Sequence, residues 1–372
     1  MNRAQTPYIL RDLKKKMVFL IGPRQVGKTW LAKKCAEQYK NPVYLNFDRF
    51  EDRDVIRKEG WPDKTDLLIL DEIHKMQEWK NYVKGVFDTK SDKLHLIVTG
   101  SARLETFRQT GDSMAGRFFR HRLLPLSYKE LPEKEPDSIE KLIERGGFPE
   151  PFSAAKQVDA DRWRNQYVDG LIRTDVLDFE RVHDLRTIQT VLELLRRRVG
   201  SPVSFNSIAE DVQVSPTTVK RYIEIMEALF IVFRITPYSK NIARSLLKEP
   251  KIYFYDTGMV IGDEGAKFEN MIALSLLKHV CATVDYLGKQ AELMYIRTKD
   301  GEEVDFCIVE KGAPVRIVEA KAGGKDFGTS LKKIHSHYGF PAVAVIKNLK
   351  REYKEDGIPV MPAEEFCGEL LM

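Results

Sequence analysis

A glycine-rich stretch near the start of the sequence has the residue types that bind phosphate groups. Residues 22–29 read GPRQVGKT and match the pattern GxxxxGK[ST] at every fixed position. Glycines let backbone N–H groups surround a phosphate at a helix start, the lysine reaches the terminal phosphates, and the threonine hydroxyl can ligate Mg²⁺. We call this segment the P-loop, and its predicted nucleotide-binding residues are Gly22, Pro23, Arg24, Gln25, Val26, Gly27, Lys28 and Thr29.

Two apolar segments downstream end in polar residues that could complete such a site. LLILDE ends in Asp71 and Glu72, and HLIVTGS carries Thr99 and Ser101. The first carboxylate would hold Mg²⁺, often through water, and the second would polarise the attacking water as a general base. The hydroxyls could contact the γ-phosphate or position water, although simple polar strand ends would look the same.

A second group of ionisable residues lies near the end of the chain. Residues 302–321, EEVDFCIVEKGAPVRIVEAK, predict two β-strands joined by a tight turn. If the hairpin is centred on Gly312, Asp305 pairs with Glu319. Opposed carboxylates repel each other across a sheet. Lys321, a metal ion or solvent must therefore lie between them.

The faces of the neighbouring elements bear on the same group of residues. Alternation along the second strand places Glu319 and Lys321 on one face with Val315 and Ile317. The helical segment KFENMIALSLLKHV carries Glu269 in line with apolar residues, so this acid should face protein rather than water. A shared metal ion would give such an inward-facing carboxylate a partner.

The order of the predicted elements indicates an α/β protein. Between residues 17 and 127, short apolar runs alternate with helical segments, which predicts βαβ units and a mostly parallel sheet. The predicted strands are MVFLIG, PVYLNFD, DLLILDE, HLIVTGS and RFFRHRLLPLS. We predict four parts: a P-loop domain at 1–130, a helical connector at 131–185, a winged-helix module at 186–250 and a C-terminal α/β domain at 251–372.

The middle module has the pattern of a helix-turn-helix. Residues 205–229 read as helix, turn and helix, with Ser215 as N-cap and Pro216 at the first helical position. LFIVFRITPY would form the strand of a wing. Winged helices bind DNA, but they also serve as lids or protein contacts. The predicted DNA-contacting residues, at the start of the second helix, are Thr217, Thr218, Lys220 and Arg221.

Composition narrows the class of protein without fixing a partner. The 372 residues carry a net charge of +5, with 43% apolar and 31% charged residues, which is ordinary for a globular chain. Residues 181–250 contain eleven Lys or Arg against seven Asp or Glu, a bias compatible with DNA but also common on helical surfaces. The four scattered cysteines argue against a zinc site or disulfides. The absence of a membrane-length apolar run and of a signal-peptide pattern predicts a cytoplasmic protein without a membrane partner.

The motifs resemble those of a known class of nucleotide-binding proteins. GPRQVGKT, LILDEIHK, TGSARL and MAGRFFRHRLLPLSYKEL are similar to segments of prokaryotic AAA-type ATPases that carry a C-terminal domain of unknown function. The resemblance implies ATP and Mg²⁺ as ligands, with Lys28 and Glu72 as catalytic residues. It also implies an arginine that contacts the γ-phosphate of a neighbouring subunit in a homo-oligomer. Arg117 is the first candidate and Arg103 the second, and a purely structural arginine is the alternative.

The C-terminal residues resemble the PD-(D/E)xK nuclease superfamily. Asp305, Glu319 and Lys321 match its motif, with Ala320 as the intervening residue, and Glu269 matches the acid often found on a preceding helix. The resemblance implies Mg²⁺ or Mn²⁺ bound by the three carboxylates, with the lysine positioning water or stabilising developing negative charge. The alternative is a degenerate nuclease fold in which Lys321 forms a salt bridge with Asp305 or Glu319.

Together these patterns predict a Mg²⁺-dependent ATPase that acts on duplex or branched DNA through its winged-helix and nuclease-like domains. Two alternatives remain open from the sequence. One is a slow ATP-dependent switch whose C-terminal modules bind protein partners. The other is a metal-dependent DNA endonuclease that ATP regulates.

Overall fold

The computed structural model describes residues 3–100, 114–132, 137–176, 184–239, 248–324 and 327–372, and only the backbone at 174–176. The chain divides into two compact units, Met1–Leu124 and Pro125–Met372. No helix within these described ranges is long and apolar enough to cross a membrane. The predicted division into four parts stays a prediction.

The first unit is built around a five-stranded parallel sheet. Its strands have the order β2-β3-β4-β1-β5, and every neighbouring pair is parallel, which confirms the predicted sheet. β1 and β3 are buried along their whole length, which explains why they read as unbroken apolar runs. The strands are β1 (Met17–Ile21), β2 (Pro42–Asn46), β3 (Leu67–Asp71), β4 (His95–Gly100) and β5 (Phe118–Arg122).

Four α-helices and a short 3-10 helix (Ile73–Lys75) complete the described part of the first unit. A helix starts at Lys28, the last residue but one of the P-loop, so the loop joins the carboxyl end of a central strand to a helix N-terminus. Parallel strands all end at one edge of the sheet, and the residues after β1, β3 and β4 therefore meet there. The helices are α1 (Thr6–Leu13), α2 (Lys28–Ala36), α3 (Phe50–Arg57) and α4 (Trp79–Thr89).

The second unit begins with helices and a short β-ribbon. The Ser215 hydroxyl accepts the Thr218 N–H at 3.0 Å and Pro216 opens the following helix, as predicted. The helices are α5 (Ser138–Glu144), α6 (Pro149–Ser153), α7 (Gln157–Gly170) with a π-helical continuation (Leu171–Val176), α8 (Leu185–Arg196), α9 (Phe205–Val212) and α10 (Pro216–Ala228). The ribbon pairs β6 (Val232–Ile235) with β7 (Lys251–Phe254) in antiparallel fashion.

The rest of the second unit is a mixed sheet with helices. The sheet has the order β12-β13-β11-β10-β9-β8, in which β10, β11 and β13 run parallel and the other neighbouring pairs are antiparallel. Its elements are α11 (Glu264–Leu287), β8 (Ala291–Arg297), β9 (Glu303–Glu310), β10 (Ala313–Lys321), α12 (Thr329–Tyr338), β11 (Ala342–Ile346), β12 (Tyr353–Glu355), β13 (Ile358–Pro362) and α13 (Ala363–Glu369).

The predicted β9–β10 hairpin forms, but its turn differs from the expected one. Lys311 and Gly312 both have positive φ, 50° and 80°, and make a two-residue turn. This turn alone would pair position 319 with position 304. The register shifts by one residue between Pro314 and Arg316, after which Val318 lies opposite Phe306. Continued by one residue, this register would set Glu319 opposite Asp305, as predicted.

The same irregularity corrects the prediction for Val315. We expected Val315 to share the inner face of β10 with Ile317, but Val315 is exposed whereas Ile317 is fully buried. The extra residue at the bulge breaks the alternation of faces, so positions before and after it no longer follow one rule. Pro314, which cannot donate to a sheet hydrogen bond, is the local sequence sign of this bulge.

Candidate functional site

The P-loop has the backbone conformation that its glycines permit. Gly22 and Gly27 have φ of +153° and +98°. A Cβ at position 22 would lie 2.1 Å from the carbonyl oxygen of Leu123, so the close approach of two backbone segments requires glycine there. Gln25 also adopts a left-handed conformation, with φ of 57°. The loop therefore turns sharply between β1 and α2.

Lys28 folds back over the P-loop. Its Nζ atom donates to the carbonyl oxygens of Gly22 at 3.0 Å and Pro23 at 2.6 Å. Burial lowers the pKa of this lysine to about 8, against the opposing charges of Glu72 and Asp71. A partly desolvated ammonium held by neutral carbonyls would gain from exchanging them for phosphate oxygens.

Asp71 is the hub of the hydrogen bonds beside the P-loop. It lies at the end of β3, 2% exposed, and its Oδ2 atom accepts the Thr29 hydroxyl at 2.8 Å. The same oxygen accepts the Tyr44 hydroxyl at 2.6 Å, and Oδ1 accepts the Thr99 hydroxyl. The structure thus brings together Thr29, Asp71 and Thr99 as predicted, and it adds Tyr44, which the sequence analysis missed.

The donor set around Asp71 fits a magnesium ion. A carboxylate and a threonine hydroxyl are hard oxygen ligands of the type that Mg²⁺ prefers. Thr29 Oγ1 and Asp71 Oδ2 are already within hydrogen-bond distance of each other. Little movement is needed for both oxygens to contact one ion.

Glu72 follows Asp71 in a strained backbone conformation. Its φ is 55°, in the left-handed region that non-glycine residues seldom adopt. Burial raises the pKa of its carboxyl, while the charges of Lys28 and Lys75 partly oppose that effect. One Glu72 oxygen lies 3.7 Å from His74 Nε2 and 3.9 Å from Lys75 Nζ. A carboxyl with a raised pKa is a stronger base once ionised.

Arg3 is a further residue that the sequence analysis missed. Its guanidinium is buried and donates to the carbonyl oxygen of Leu124 at 3.1 Å and to that of Val26 within the P-loop. Arg3 precedes α1, so the start of the chain supports the P-loop from outside the motif. No spacing rule in the sequence predicts such a contact.

Arg117 lies far from the P-loop along the strand direction. It precedes β5, whose first residue is paired with Met17 at the start of β1, while the P-loop follows the end of β1. Its Nε and one terminal nitrogen donate to the two carboxylate oxygens of Asp88 at 2.8 and 3.0 Å. Arg117 therefore does not join the site of its own chain, and its role toward a neighbouring subunit stays a prediction. Ser101 and Arg103 lie outside the described residues.

The helix-turn-helix presents its predicted residues to solvent. Thr217, Lys220 and Arg221 are exposed near the start of α10, and Thr218 is half-buried. The opposite face of the helix, including Val219 and Ile223, is buried, as predicted. A groove of about 580 Å³ lies beside this helix, and its charged lining residues are Lys220, Glu224, Arg234, Lys248 and Glu249.

Four carboxylates gather on the C-terminal sheet and its helix, and we call them the carboxylate cluster: Glu269, Glu303, Asp305 and Glu319. The fully buried Lys251 of β7 lies among three of them. Its Nζ atom is 2.9 Å from Glu303 Oε1, 3.4 Å from Asp305 Oδ1 and 3.5 Å from Glu269 Oε1. The sequence analysis missed both Lys251 and Glu303.

Lys321 pairs with Glu319, the member of the carboxylate cluster that Lys251 does not contact. Its Nζ atom is 2.9 Å from Glu319 Oε1, the salt bridge that the sequence offered as an alternative. Glu319 Oε2 is buried and has no hydrogen-bond partner among the described residues. Asp305 Oδ2 accepts the backbone N–H of Ala320 at 3.1 Å.

Burial sets the protonation of the carboxylate cluster. It raises the pKa of Glu269 and that of Glu319 to about 7, and the charge of Asp305 adds to both shifts. The Tyr253 hydroxyl donates to Glu269 Oε1 at 2.7 Å. Among the residues with described side chains, no group of three or more His, Cys, Asp or Glu has a geometry that could hold a metal ion. The predicted binding of Mg²⁺ or Mn²⁺ here is taken up below.

Three family models match successive parts of the chain. Residues 14–132 match the model of an AAA domain. Residues 136–263 match one described as a domain of unknown function (DUF8612), and residues 264–366 match another domain of unknown function (DUF4143). The boundary between the last two falls between β7 and α11, so Lys251 and the carboxylate cluster belong to different matched segments.

Relatives with similar sequences span most of the chain. An uncharacterized protein of Mycobacterium tuberculosis is 26% identical over 363 residues, covering 94% of this chain and 80% of the relative. One from Methanocaldococcus jannaschii is 24% identical over 342 residues, covering 81% and 75%. A solved Walker-type ATPase of Pyrococcus abyssi covers 68% of this chain and 93% of its own, with 13% identity and a TM-score of 0.43. On the strength of the family match, the parallel sheet and the P-loop, residues 14–132 are an AAA-type P-loop domain.

Proposed function

We propose that the chain binds ATP with Mg²⁺ at the P-loop and hydrolyses it. The observation that carries the proposal is the direct contact between Thr29 and Asp71, which joins the P-loop helix to the end of β3. In this arrangement the backbone N–H groups of the P-loop bind phosphate, and Lys28 contacts the terminal phosphate oxygens. Mg²⁺, held through Thr29 and Asp71, would neutralise charge on those phosphates when bound.

Glu72 is the proposed general base. It follows the Mg²⁺ residue directly, and its raised pKa suits a group that accepts a proton from water. The left-handed backbone at Glu72 turns the chain away from the strand direction immediately after Asp71. The two adjacent acids can therefore have different roles, one toward the metal ion and one toward water.

The first experiment measures phosphate release from ATP by the purified full chain with and without Mg²⁺. We expect turnover that requires Mg²⁺ and is lost in Lys28→Ala, because that variant has no cation for the terminal phosphates. Lys34→Ala is the matched control and should retain turnover, because Lys34 is an exposed lysine on the same helix whose ammonium pairs with Glu37 at the surface. Equal turnover of wild type and Lys28→Ala would refute hydrolysis at this site.

We further propose that the second unit acts on DNA through its helix-turn-helix and ribbon. The support is the exposure of Lys220 and Arg221 beside a groove that Arg234 and Lys248 also line. Basic side chains at the start of the second helix can contact phosphates or base edges. The two acidic groove residues reduce the positive charge, so the interaction should be moderate and sensitive to salt.

The DNA proposal is tested by fluorescence anisotropy with labelled duplex and branched DNA at several salt concentrations. Charge reversal of Lys220 and Arg221 together should weaken binding and reduce the slope of log K against log salt by about 2, since each lost phosphate contact removes about 0.9. Lys299→Glu, in an exposed turn, is the control. If the chain does not bind DNA, or binds it with an affinity that does not depend on salt, the ATP-dependent switch with protein partners becomes the favoured function.

Metal-dependent cleavage of DNA is a second candidate. The favouring observation is that Asp305, Glu319 and Lys321 come together on β9 and β10, with Glu269 on the preceding helix. The test incubates plasmid and branched DNA with Mg²⁺ or Mn²⁺ and compares wild type with Glu319→Ala and Lys321→Ala. Cleavage that both variants lose would support this candidate, and cleavage that both retain would assign it to a contaminant.

A further inference from the structure

The ammonium group of Lys251 lies between three members of the carboxylate cluster. Its side chain is 1% exposed, and three carboxylate groups lie within 3.5 Å of its ammonium. The strand that carries it is firmly packed, since Ile252, Tyr253 and Phe254 are also buried. The lysine comes from the β6–β7 ribbon, whereas its partners come from α11 and β9.

The charges explain why this lysine can be buried. An isolated ammonium in the interior is very unfavourable, and close carboxylates offset that cost. The carboxylates of Glu269, Asp305 and Glu303 raise the pKa of Lys251 above its ordinary value against the effect of burial. The other oxygen of Glu303 is 3.6 Å from Arg297 at the solvent-exposed rim. Lys251 is therefore a fixed positive charge.

The same contacts bear on whether a divalent ion fits. An Mg²⁺ or Mn²⁺ ion needs several oxygen ligands converging on one point. Here one oxygen each of Glu269, Glu303 and Asp305 already converges on the Lys251 ammonium. A divalent ion at that point would be repelled by the ammonium, and the three carboxylate oxygens it needs as ligands are already paired with Lys251. The residues in this arrangement do not fit the predicted ion.

We propose that Lys251 is the resident cation of the carboxylate cluster, so that its ammonium and a divalent ion exclude each other. The inference goes beyond the cleavage candidate and does not depend on it, because ion binding is measured without DNA. With Lys251 in place the cluster lacks the ion that hydrolysis of DNA would need.

Partial protonation of two of the carboxylates reduces the negative charge that Lys251 leaves unbalanced. In the described part of the chain, the four carboxylates form ion pairs with Lys251, Lys321 and, at the rim, Arg297. The pKa values of Glu269 and Glu319 near 7 mean that part of the population is protonated at neutral pH. Glu319 Oε2, which is buried and accepts no hydrogen bond from the residues that the structure describes, is an oxygen that can carry such a proton.

The test counts Mn²⁺ ions bound per chain, using electron paramagnetic resonance of free Mn²⁺ without ATP or DNA. Every chain carries Asp71→Asn so that the P-loop site does not contribute. We expect no bound ion in the otherwise wild-type chain or in Lys251→Arg. Lys251→Met should bind about one ion per chain, because its carboxylates lose their cation. Adding Glu303→Gln to Lys251→Met should abolish that binding.

Two results would overturn the inference. One is an ion bound with Lys251 in place that Glu319→Gln or Glu303→Gln removes, since lysine and metal would then coexist. The other is a folded Lys251→Met chain that gains no ion. The first result does not need Lys251→Met to fold, so the inference stays testable if that variant aggregates. ATP turnover is measured separately, so either failure leaves the ATPase proposal standing.

Discussion

Replacing Tyr44 by Phe tests the hydrogen bonds that hold Asp71. The substitution removes one hydroxyl that donates to Asp71 Oδ2 at 2.6 Å and leaves the ring, which packs under the Lys33 ammonium at 4.2 Å. A hydrogen bond to a charged acceptor contributes about 1.5–3 kcal/mol. Asp71 keeps the Thr29 and Thr99 hydroxyls as donors, so we expect the lower end of that range.

The predicted loss is about 1.5 kcal/mol of transition-state stabilisation, which corresponds to roughly tenfold in kcat/KM. The assay is steady-state ATP turnover with Mg²⁺ in excess. Tyr39→Phe is the matched control, because its hydroxyl pairs with His95 Nδ1 at 2.8 Å, at the amino end of β4 and away from the P-loop. A Tyr44→Phe chain within twofold of wild type would refute the role given to this hydroxyl, as would an equal loss in Tyr39→Phe.

Three further predictions concern support of the fold and of the P-loop. Arg3→Ala removes the hydrogen bond from the Arg3 guanidinium to the Val26 carbonyl oxygen in the P-loop. The variant should therefore bind ATP more weakly in titration calorimetry while its Tm changes little. An ATP affinity equal to that of the wild type would contradict this. Lys278→Met removes the ammonium beside the buried Glu130 carboxylate, which keeps the Ser127 N–H as a donor, and should cost about 3–5 kcal/mol, with partial recovery in Lys278→Met/Glu130→Leu measured by thermal unfolding. Burial lowers the pKa of His279, whose Nδ1 accepts the Leu371 N–H. As the pH decreases below about 6.5, the histidine of the unfolded chain is protonated before that of the folded chain, so the free energy of unfolding decreases. His279→Gln should make Tm less dependent on pH between 7 and 5, and a Tm profile equal to that of the wild type would contradict this.

The elements that depend on local pattern could be predicted from the sequence. The P-loop, the five strands and the Ser215 cap follow from apolar runs, glycines and capping residues within a few positions of one another. Asp71 could be placed beside Thr29 because parallel strands end at one edge of the sheet. Each of these inferences needs only the chain's local order and one rule of topology.

The residues that were missed act across long separations in the sequence. Lys251 is 54 positions from Asp305, and it belongs to a strand whose other residues are apolar or aromatic, so nothing nearby marks it as a counter-ion. Tyr44 reads as an ordinary strand aromatic until β2 and β3 are aligned. Pro314 hints at a bulge in β10, but the one-residue shift that brings Val318 opposite Phe306 is seen only in the folded sheet.

The most direct test of the ATPase proposal is single-turnover hydrolysis in Glu72→Gln. The account predicts that this variant still binds ATP and Mg²⁺, because Lys28, Thr29 and Asp71 are intact, while the rate of hydrolysis falls by about 10²–10⁴, the range for loss of a general base. Glu78→Gln is the control, since Glu78 shares the left-handed backbone of Glu72 but is exposed at the start of α4. Undiminished hydrolysis in Glu72→Gln, with binding retained, would contradict the central claim.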